Sequence, residues 1–191
     1  MEKMIVSPTS PYSHDQLMRD VYALCATYPG LISSEDAGYS AEGRTLPLIR
    51  LGSVDSTQAF LGRHPELSFC GVMADLQAAG RGRGENRWEA ASGTGLCLSA
   101  ALPVPDLNPG LVPQRAMLAV IEALEPCGVA LGLKWPNDLV AWKEGRLVKV
   151  GGILGEHKGN RILLGLGVNL TAAPELGDRP IPPASLAELG A

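Results

Sequence analysis

Apolar residues recur at every third or fourth position near the start of the chain, in the segment SHDQLMRDVYALCATYPG. This spacing predicts an amphipathic helix. Ser13 is a suitable N-cap with Gln16 three residues later, which is the arrangement of a capping box, and Pro29-Gly30 ends the helix. The predicted apolar stripe consists of Leu17, Val21, Leu24 and Tyr28.

Short apolar runs separated by polar turns follow this helix and predict β-strands. Residues 31–52 predict two strands around a polar turn, FCGVMADLQ and LCLSAALPV predict one strand each, and residues 130–170 predict three or four. Further helices are predicted after Asp55 or Ser56 and over residues 111–127. Strands dominate, so the predicted fold class is α+β, with a mixed β-sheet flanked by helices.

The chain has 191 residues and a net charge of -4, which suits one ordinary domain with or without a small appendage. Mild acidity argues against a general nucleic-acid-binding surface but leaves room for a small basic pocket. The N-terminal segment has no apolar signal region, and no apolar run approaches the roughly 20 residues that span a bilayer. We therefore expect a soluble, cytoplasmic protein without a membrane partner.

Four cysteines lie far apart in the sequence, and no C-x-x-C pair is present. We therefore expect neither a protein-ligated zinc site nor a disulfide framework. Buried, reduced thiols are the expected state of Cys25, Cys70, Cys97 and Cys127.

The segment GRGRGENRW, residues 80–88, combines three arginines with three glycines. Arginine offers a planar fork of donors that matches carboxylate or phosphate, and glycine lets backbone amides approach an anion closely. If the segment is extended, Arg81 and Arg83 point the same way. A flexible, solvated loop is the alternative, and the P-loop pattern is absent.

Two further segments carry polar residues beside apolar strands. In LKWPNDLV, Lys134 can bind phosphate and Asp138 can hold Mg²⁺, although Asn137 and Asp138 are also a common turn pair. In LVKVGGILGE, Lys149 either faces water or lines a pocket beside two glycines, and Asn169 is either a turn residue or a ligand-facing amide. Together with the arginines, these groups suggest an anion site, which suits a nucleotide-using ligase or a sugar-phosphate binder.

Six motifs occur in the order and approximate spacing of biotin protein ligases: DSTQ, ADLQAAGRGR, Trp88, KWPND, KVGGILGE and GLGVN. Residues 53–191 thus resemble the catalytic domain of that family, which implies a class II synthetase-like biotin/lipoate ligase fold. The resemblance implies that biotin and ATP, with Mg²⁺, give biotinyl-AMP and pyrophosphate. A lysine of a biotin carboxyl carrier protein or domain then accepts the biotin.

The resemblance also implies roles for individual residues. The expected catalytic pair is Lys149 and Arg83, whose cations neutralise the biotin carboxylate and the α-phosphate as they react. Gln58 stands where the family usually has asparagine. The implied biotin-binding residues are Ser56, Thr57, Gln58, Gln77, Arg81, Gly82, Arg83, Lys149 and Gly152. The implied nucleotide-binding residues are Arg83, Trp88, Lys134, Asn137, Asp138 and Asn169, with Mg²⁺ near Asp138.

The chain also departs from the family pattern. Many members carry a C-terminal β-barrel domain, and the segment that would precede it ends this chain, so we expect a catalytic domain that lacks the barrel. No segment resembles a DNA-binding helix-turn-helix, so no DNA partner is expected, whereas a homodimer remains open. The alternatives to a complete ligase are a module that binds biotin or its adenylate without transfer, a lipoate-type ligase, and an inactive fusion product.

Residues 12–52 resemble the first helix and two strands of a zinc carboxypeptidase domain, although the H-x-x-E zinc motif is absent. We therefore infer no peptidase activity and expect residues 1–52 to form an N-terminal appendage. Its edge strands would either extend the sheet of the ligase domain or dock loosely against it.

The arginine segment generates a first prediction, because the family usually continues GRGRRGR where this chain has GRGRGEN. Glu85 places a like charge near a bound phosphate, and two arginines are missing. Substituting Gly84→Arg together with Asn86→Arg should therefore lower the release of the adenylate. Unchanged release, measured with radiolabelled adenylate in a filter assay, would show that the charge of this segment does not control retention.

Overall fold

The computed structural model describes residues 13–41, 43–104, 108–177 and 179–191. The described helices are α1 (His14–Thr27), α2 (Thr57–Arg63) and α3 (Val112–Leu124), with short 3-10 turns at Pro109–Leu111, Glu125–Cys127 and Ala187–Leu189. The described strands are β1 (Ile32–Tyr39), β2 (Thr45–Val54), β3 (Cys70–Gln77), β4 (Gly95–Pro103), β5 (Leu131–Lys134), β6 (Asp138–Lys143), β7 (Arg146–Lys158) and β8 (Arg161–Asn169).

All eight strands form one sheet in the order β1-β2-β3-β4-β8-β7-β6-β5. The pair β2 and β3 is parallel, whereas the other neighbouring strands are antiparallel. The parallel pair is possible because α2 forms the connection between its two strands. The structure confirms the predicted α+β class with a mixed sheet flanked by helices. Among the described residues, no helix is long and apolar enough to cross a membrane.

Helix α1 begins as its sequence predicts. The Ser13 hydroxyl accepts a hydrogen bond of 3.2 Å from the Gln16 amide, and Leu17 and Val21 are fully buried. Burial of one such side chain contributes about 1.5–3 kcal/mol. The predicted apolar stripe was wrong at its last position, because Tyr28 is the C-cap residue and is 49% exposed.

The N-terminal elements share a hydrophobic core with the rest of the sheet. Leu17 and Val21 of α1 pack in one cluster with Ile49 of β2 and with Leu61 of α2. Strand β2 continues through residue 52, where the boundary of an appendage was expected, and pairs with β3 from Leu48 to Val54. The N-terminal strands therefore extend the sheet, which was one of the two expected arrangements; residues 1–12 of that segment lie outside the described residues.

A second cluster lies between α3 and the β5–β8 end of the sheet. Met117 of α3 is fully buried against Val148 and Val150 of β7. Ala184 and Leu186, from the proline-rich segment after β8, complete this cluster. That segment runs beside β7 and therefore belongs to the fold.

Two of the four cysteines are buried, and all four are free thiols. Burial raises the pKa of the Cys70 thiol to about 12 and also raises that of Cys97, which keeps both protonated at neutral pH. The expectation of buried thiols was wrong for Cys127, which is exposed, and Cys25 is only partly buried.

Arg161, the first residue of β8, lies inside the fold with 6% exposure. Its guanidinium donates to the backbone carbonyls of Leu61 (3.3 Å), His64 (3.2 Å) and Leu67 (3.0 Å). These carbonyls lie at the end of α2 and just beyond it; those of Leu61 and His64 also accept from the amides of His64 and Leu67, so Arg161 is a second donor to them. Arg161 therefore fastens the end of α2 to the centre of the sheet.

We expect Arg161→Leu to lower the free energy of unfolding by about 2–4 kcal/mol, because it removes buried hydrogen bonds from a charged donor, which contribute about 1.5–3 kcal/mol each. Arg161→Lys should cost less, since an ammonium can reach some of the same acceptors. Urea unfolding followed by circular dichroism measures both. The control is Arg146→Leu at an exposed position of β7; equal losses for Arg161→Leu and this control would contradict the role of Arg161.

Candidate functional site

A cavity of about 960 Å³ opens on the sheet beside the start of α2. The structure brings all of the sequence-predicted site residues to its wall: Ser56, Thr57, Gln58, Gln77, Arg81, Gly82, Arg83, Trp88, Lys134, Asn137, Asp138, Lys149, Gly152 and Asn169. They come from α2, from the segment between β3 and β4, and from the strands β3 and β5 to β8. The cavity has the size of a small-molecule site.

One part of the cavity wall is a buried polar network around Thr57. The Gln77 side-chain oxygen accepts from the Thr57 amide (2.7 Å) and from its hydroxyl (3.0 Å). The Thr57 hydroxyl also lies 2.8 Å from that of Ser99. Sequence reasoning missed Ser99, whose only signal was a polar residue at a buried position of an apolar strand. Because its oxygen is engaged, the Gln77 amide nitrogen remains the group with which Gln77 can meet a ligand.

The start of α2 is fixed by Ser56 and its neighbour. The Ser56 hydroxyl accepts from the Ala59 amide as the N-cap. Asp55 forms a bidentate pair with Arg63, at 2.7 and 2.8 Å, and accepts from the Ser56 amide at 2.8 Å. The hydrogen bond from Arg63 is the main reason that the pKa of the Asp55 carboxyl is lowered to about 2. These contacts hold the first turn of α2 against the cavity.

Gln58 connects α2 to the sheet rather than leaving its whole amide free for a ligand. Its nitrogen donates to the carbonyls of Leu163 (3.1 Å) and Leu154 (3.4 Å). Its oxygen lies over Gly165, where a β-carbon would come within 3.2 Å of it. Only the Gln58 oxygen thus remains for a ligand in the cavity.

Three charged groups meet at the β6–β7 side of the cavity. The Asp138 carboxylate lies 2.6 Å from the Lys149 ammonium and 3.3 Å from that of Lys134. Asp138 retains 19% exposure, so this ion triplet is partly shielded from water. The contact directs the Lys149 side chain toward the cavity. Of the two orientations that the sequence left open, facing water or lining a pocket, the structure has the second.

The turn before β6 places Asp138 for this contact. The Trp135-Pro136 peptide bond is cis, and the Asn137 carbonyl accepts from the Ile153 amide at 2.9 Å. Gly152 leaves room for this turn, because a β-carbon there would lie 3.1 Å from the Asn137 oxygen. The close approach of the two backbones accounts for glycine at this position.

The segment GRGRGENRW folds as a short hairpin, hereafter the arginine hairpin, from Gly80 to Trp88. Its backbone is closed by hydrogen bonds from Gly82 to Asn86 (2.9 Å) and from Trp88 to Gly80 (3.0 Å). The Asn86 amide and side chain both donate to the Arg83 carbonyl. The two alternatives, an extended pair of arginines and a flexible loop, are therefore replaced by a hydrogen-bonded turn.

The geometry of this turn accounts for the glycine at position 84. Its φ of 66° lies in the left-handed region, which tight hairpin turns assign to glycine. An arginine there would cost roughly 1–2 kcal/mol of backbone strain, and Asn86→Arg would remove the side-chain bond to Arg83. The double substitution proposed from the sequence therefore changes the hairpin turn as well as its charge.

The Trp88 indole lies directly over the backbone of Gly167 in β8, where a β-carbon would overlap the ring. Nearby, Asn169 is 2% exposed; its side-chain nitrogen donates to the Ala184 carbonyl at 3.1 Å. Its side-chain oxygen is buried and has no hydrogen-bond partner among the described residues. The cavity thus offers an aromatic surface next to an unpaired acceptor.

The proline-rich segment after β8 also contributes to the cavity. The Lys149 amide donates to the Pro182 carbonyl (2.8 Å), and the Ala184 amide donates to the Lys149 carbonyl (2.9 Å). Pro174, Leu176, Arg179, Pro180, Ile181 and Pro183 line the wall. Sequence reasoning missed this wall, because prolines and small residues carry no periodic signal.

The charge of the cavity wall is opposite in sign to the net charge of the chain. The basic residues on its described wall are Arg81, Arg83, Arg87, Lys134, Lys149 and Arg179, and the acidic ones are Glu85, Glu89 and Asp138. The wall therefore has an excess of cations in a protein of net charge -4, which favours an anionic ligand.

The described residues contain no cluster of three or more histidine, cysteine or acidic side chains that could hold a metal ion. At the cavity, the Asp138 carboxylate is already engaged by two lysines. The side chains of the described cavity wall would thus hold Mg²⁺ together with the phosphates of a ligand, with Asp138 as a carboxylate on that wall.

Comparisons with known proteins identify the family of this chain. Residues 57–171 match the Biotin/lipoate A/B protein ligase family. A biotin–[acetyl-CoA-carboxylase] ligase of Mycobacterium tuberculosis is 38% identical over 111 residues, which is 54% of this chain and 40% of the relative. A ligase of the same name from Paracoccus denitrificans is 36% identical over 141 residues, which is 66% of this chain and 56% of the relative. The chain thus spans about half the length of these relatives.

Solved structures show the same fold. Biotin protein ligase from Aquifex aeolicus in complex with biotin and ATP superposes with a TM-score of 0.65 and 31% identity, over 75% of this chain and 61% of that one. Biotin protein ligase from Leishmania major in complex with biotinyl-5-AMP gives a TM-score of 0.57 with 26% identity, over 74% of this chain and 63% of that one. The sheet and its helices therefore have the fold of a biotin protein ligase catalytic domain.

We predict that Gly167→Ala displaces the Trp88 indole, because a methyl group on Gly167 overlaps the ring. Trp135 and Trp142 are already 75% and 71% exposed, so a red shift of tryptophan emission would report on Trp88. The matched control is Gly132→Ala in β5, where a β-carbon would lie 3.9 Å from Val140. Unchanged emission in Gly167→Ala would contradict the contact.

Proposed function

The chain belongs to the biotin/lipoate A/B protein ligase family, and we propose that it activates biotin with ATP to biotinyl-AMP. In the second step, biotin passes to a lysine of a biotin carboxyl carrier protein or domain. The observation that carries this proposal is the cation-rich cavity of an acidic protein, which is lined by an oriented lysine and by an arginine hairpin. Joining a carboxylate to a phosphate needs such cations, since the two anions repel each other at attack distance.

Lys149 and Arg83 carry the activation step in this proposal. A biotin carboxylate oxygen attacks the α-phosphorus of ATP, the bond to the β-phosphate oxygen breaks, and pyrophosphate leaves. Lys149 is held by Asp138 at 2.6 Å and neutralises the carboxylate and the α-phosphate. Arg83 lines the same cavity, and its side chain has no ion pair or hydrogen bond with the described residues, so its guanidinium is free for the phosphate. In the transfer step the acceptor amine attacks the biotinyl carbonyl and AMP leaves.

The polar network at α2 provides groups for the ureido ring of biotin. Ser56, Thr57 and the Gln77 amide nitrogen lie at the cavity wall, and a cyclic urea needs both donors and acceptors. Gly82 and Gly152 line the same cavity, and each lets two stretches of backbone of the wall lie close together, Gly82 beside Asn86 and Gly152 beside Asn137. Gln58 contributes its side-chain oxygen, because its side-chain nitrogen already donates to a backbone carbonyl of the sheet.

Other residues of the cavity wall suit the nucleotide. The free face of the Trp88 indole can stack on adenine, and the unpaired Asn169 oxygen can accept from an amino or hydroxyl group of the nucleotide. Lys134 and Asn137 line the same cavity, and their ammonium and amide groups suit phosphate oxygens. Mg²⁺ would arrive with those phosphates and shield their charge, with Asp138 as the nearest carboxylate.

Measurement of biotin-dependent pyrophosphate release, followed by transfer of labelled biotin to a carrier domain, tests the proposal. Lys149→Met should reduce pyrophosphate release by about 10²–10³-fold, the usual loss for a donor of this kind. Lys158→Met, on the same strand but away from the cavity wall, is the matched control.

The outcomes of these assays distinguish between the candidate functions. Release and transfer with biotin support a ligase, and release without transfer supports a module that retains the adenylate. Activity with lipoate or octanoate alone would assign a lipoate-type ligase. No biotin binding by calorimetry, with or without MgATP, would exclude the proposed function.

A further inference from the structure

Only part of the positive charge on the cavity wall is engaged by carboxylates. Asp138 holds Lys134 and Lys149, and Glu156 of β7 pairs with Arg81 at 2.9 Å. The other basic residues of the wall form no ion pair with a described residue: Arg83, Arg87 and Arg179. The first two belong to the arginine hairpin. Arg179 comes from the segment after β8, and neither the motifs nor the polar pattern of the sequence assigned it a function.

The backbone around Arg179 is anchored beside Lys149. The Lys149 amide donates to the Pro182 carbonyl at 2.8 Å, and the same segment forms a parallel bridge to β7 at Pro183. Arg179 stands three residues before Pro182, so their backbones lie within about 11 Å of each other. Pro180 disfavours a helical backbone at Arg179. The segment therefore keeps Arg179 on the same side of the cavity as Lys149.

The Arg179 guanidinium is held at one of its three nitrogens. Its Nε donates to the Leu176 carbonyl at 3.4 Å, across a turn in which Gly177 has a φ of 66°. The two terminal nitrogens have no hydrogen bond with a described residue, and the side chain is exposed at the cavity wall. Two terminal nitrogens form a fork that matches two oxygens of a phosphate group.

We propose that Arg179 binds the β- and γ-phosphates of ATP and then the pyrophosphate that leaves. This inference rests on the proposed function for the identity of the nucleotide. In that reaction Lys149 and Arg83 face the carboxylate and the α-phosphate, whereas most of the charge of ATP lies on the two outer phosphates. A cation at the outer phosphates also stabilises the charge that develops on pyrophosphate as its bond to the α-phosphorus breaks.

This assignment separates ATP from the adenylate. Once pyrophosphate has left, biotinyl-AMP retains only the α-phosphate, and Arg179 has no phosphate partner. Arg179 therefore contributes to the binding and turnover of ATP, whereas it adds little to the retention of biotinyl-AMP. A residue that only stabilised the cavity wall would affect both ligands alike.

Calorimetric titration of the full chain with tripolyphosphate, without biotin, tests the contact directly. Arg179→Gln should weaken binding about three- to tenfold, the effect of losing a charged donor at an exposed position. Arg179→Lys should lose less, because it keeps the charge but not the fork. The difference between wild type and Arg179→Gln should shrink at high salt. The matched control is Arg146→Gln, at an exposed position of β7 outside the cavity wall, which should change affinity less than about twofold.

Steady-state kinetics and adenylate binding complete the test. Arg179→Gln should raise the KM for ATP about three- to tenfold and leave the affinity for biotinyl-AMP within about twofold of wild type. Equal losses for tripolyphosphate and biotinyl-AMP would overturn the proposal, since they would indicate a structural role. So would equal tripolyphosphate affinities of wild type and Arg179→Gln, or no tripolyphosphate binding by wild type. A chain that binds tripolyphosphate through Arg179 but never binds biotin would support the phosphate contact and exclude the proposed function.

Discussion

The contact of one carboxylate with two ammonium groups organises the cavity. Without Asp138, Lys134 and Lys149 would repel each other on the same wall, and each would turn toward water. With Asp138 between them, at 3.3 and 2.6 Å, both lysines stay at the cavity and a single positive charge remains in excess. That remaining charge attracts an anion without a fully unpaired buried lysine, which would be costly. The irregular register between Leu139 and Val140 and the turn at Pro136 provide the backbone geometry.

The side of the cavity that α2 forms is supported by residues that are distant from α2 in the sequence. Helix α2 has only seven residues, too few to be stable alone, yet its first turn presents Ser56, Thr57 and Gln58. Leu61 packs with residues of α1 and β2, and Arg161 of β8 holds the carbonyls at the helix end. The N-terminal helix and strands therefore serve the site by holding α2 in place, although none of their side chains up to residue 54 reaches the cavity wall.

Local sequence patterns determined most of what could be predicted. The periodicity around Leu17 and Val21 and the cap at Ser13 correspond to the observed helix α1, because these signals depend on neighbours within a few positions. The motifs also identified residues that meet at one cavity. The contacts of Arg161 and Glu156 join positions 75 to 100 residues apart, and no local pattern contains such pairs. The wall formed by the segment after β8 was missed because its prolines and small residues carry no periodic signal.

In the arginine hairpin, the smaller number of cations at positions 84–86 is offset by a more ordered turn. In this chain glycine, glutamate and asparagine occupy positions 84–86, so a bound phosphate meets fewer cations than an arginine-rich segment would offer. Gly84 and Asn86, however, stabilise the turn through the left-handed backbone of the glycine and the hydrogen bond from the asparagine to the Arg83 carbonyl. Ordering one residue costs about 1–2 kcal/mol, whereas one exposed charge contributes about 0–1 kcal/mol. A turn stabilised by its own backbone reduces the ordering cost of binding, so the acidic residue in this segment does not by itself imply weak retention of an anionic intermediate.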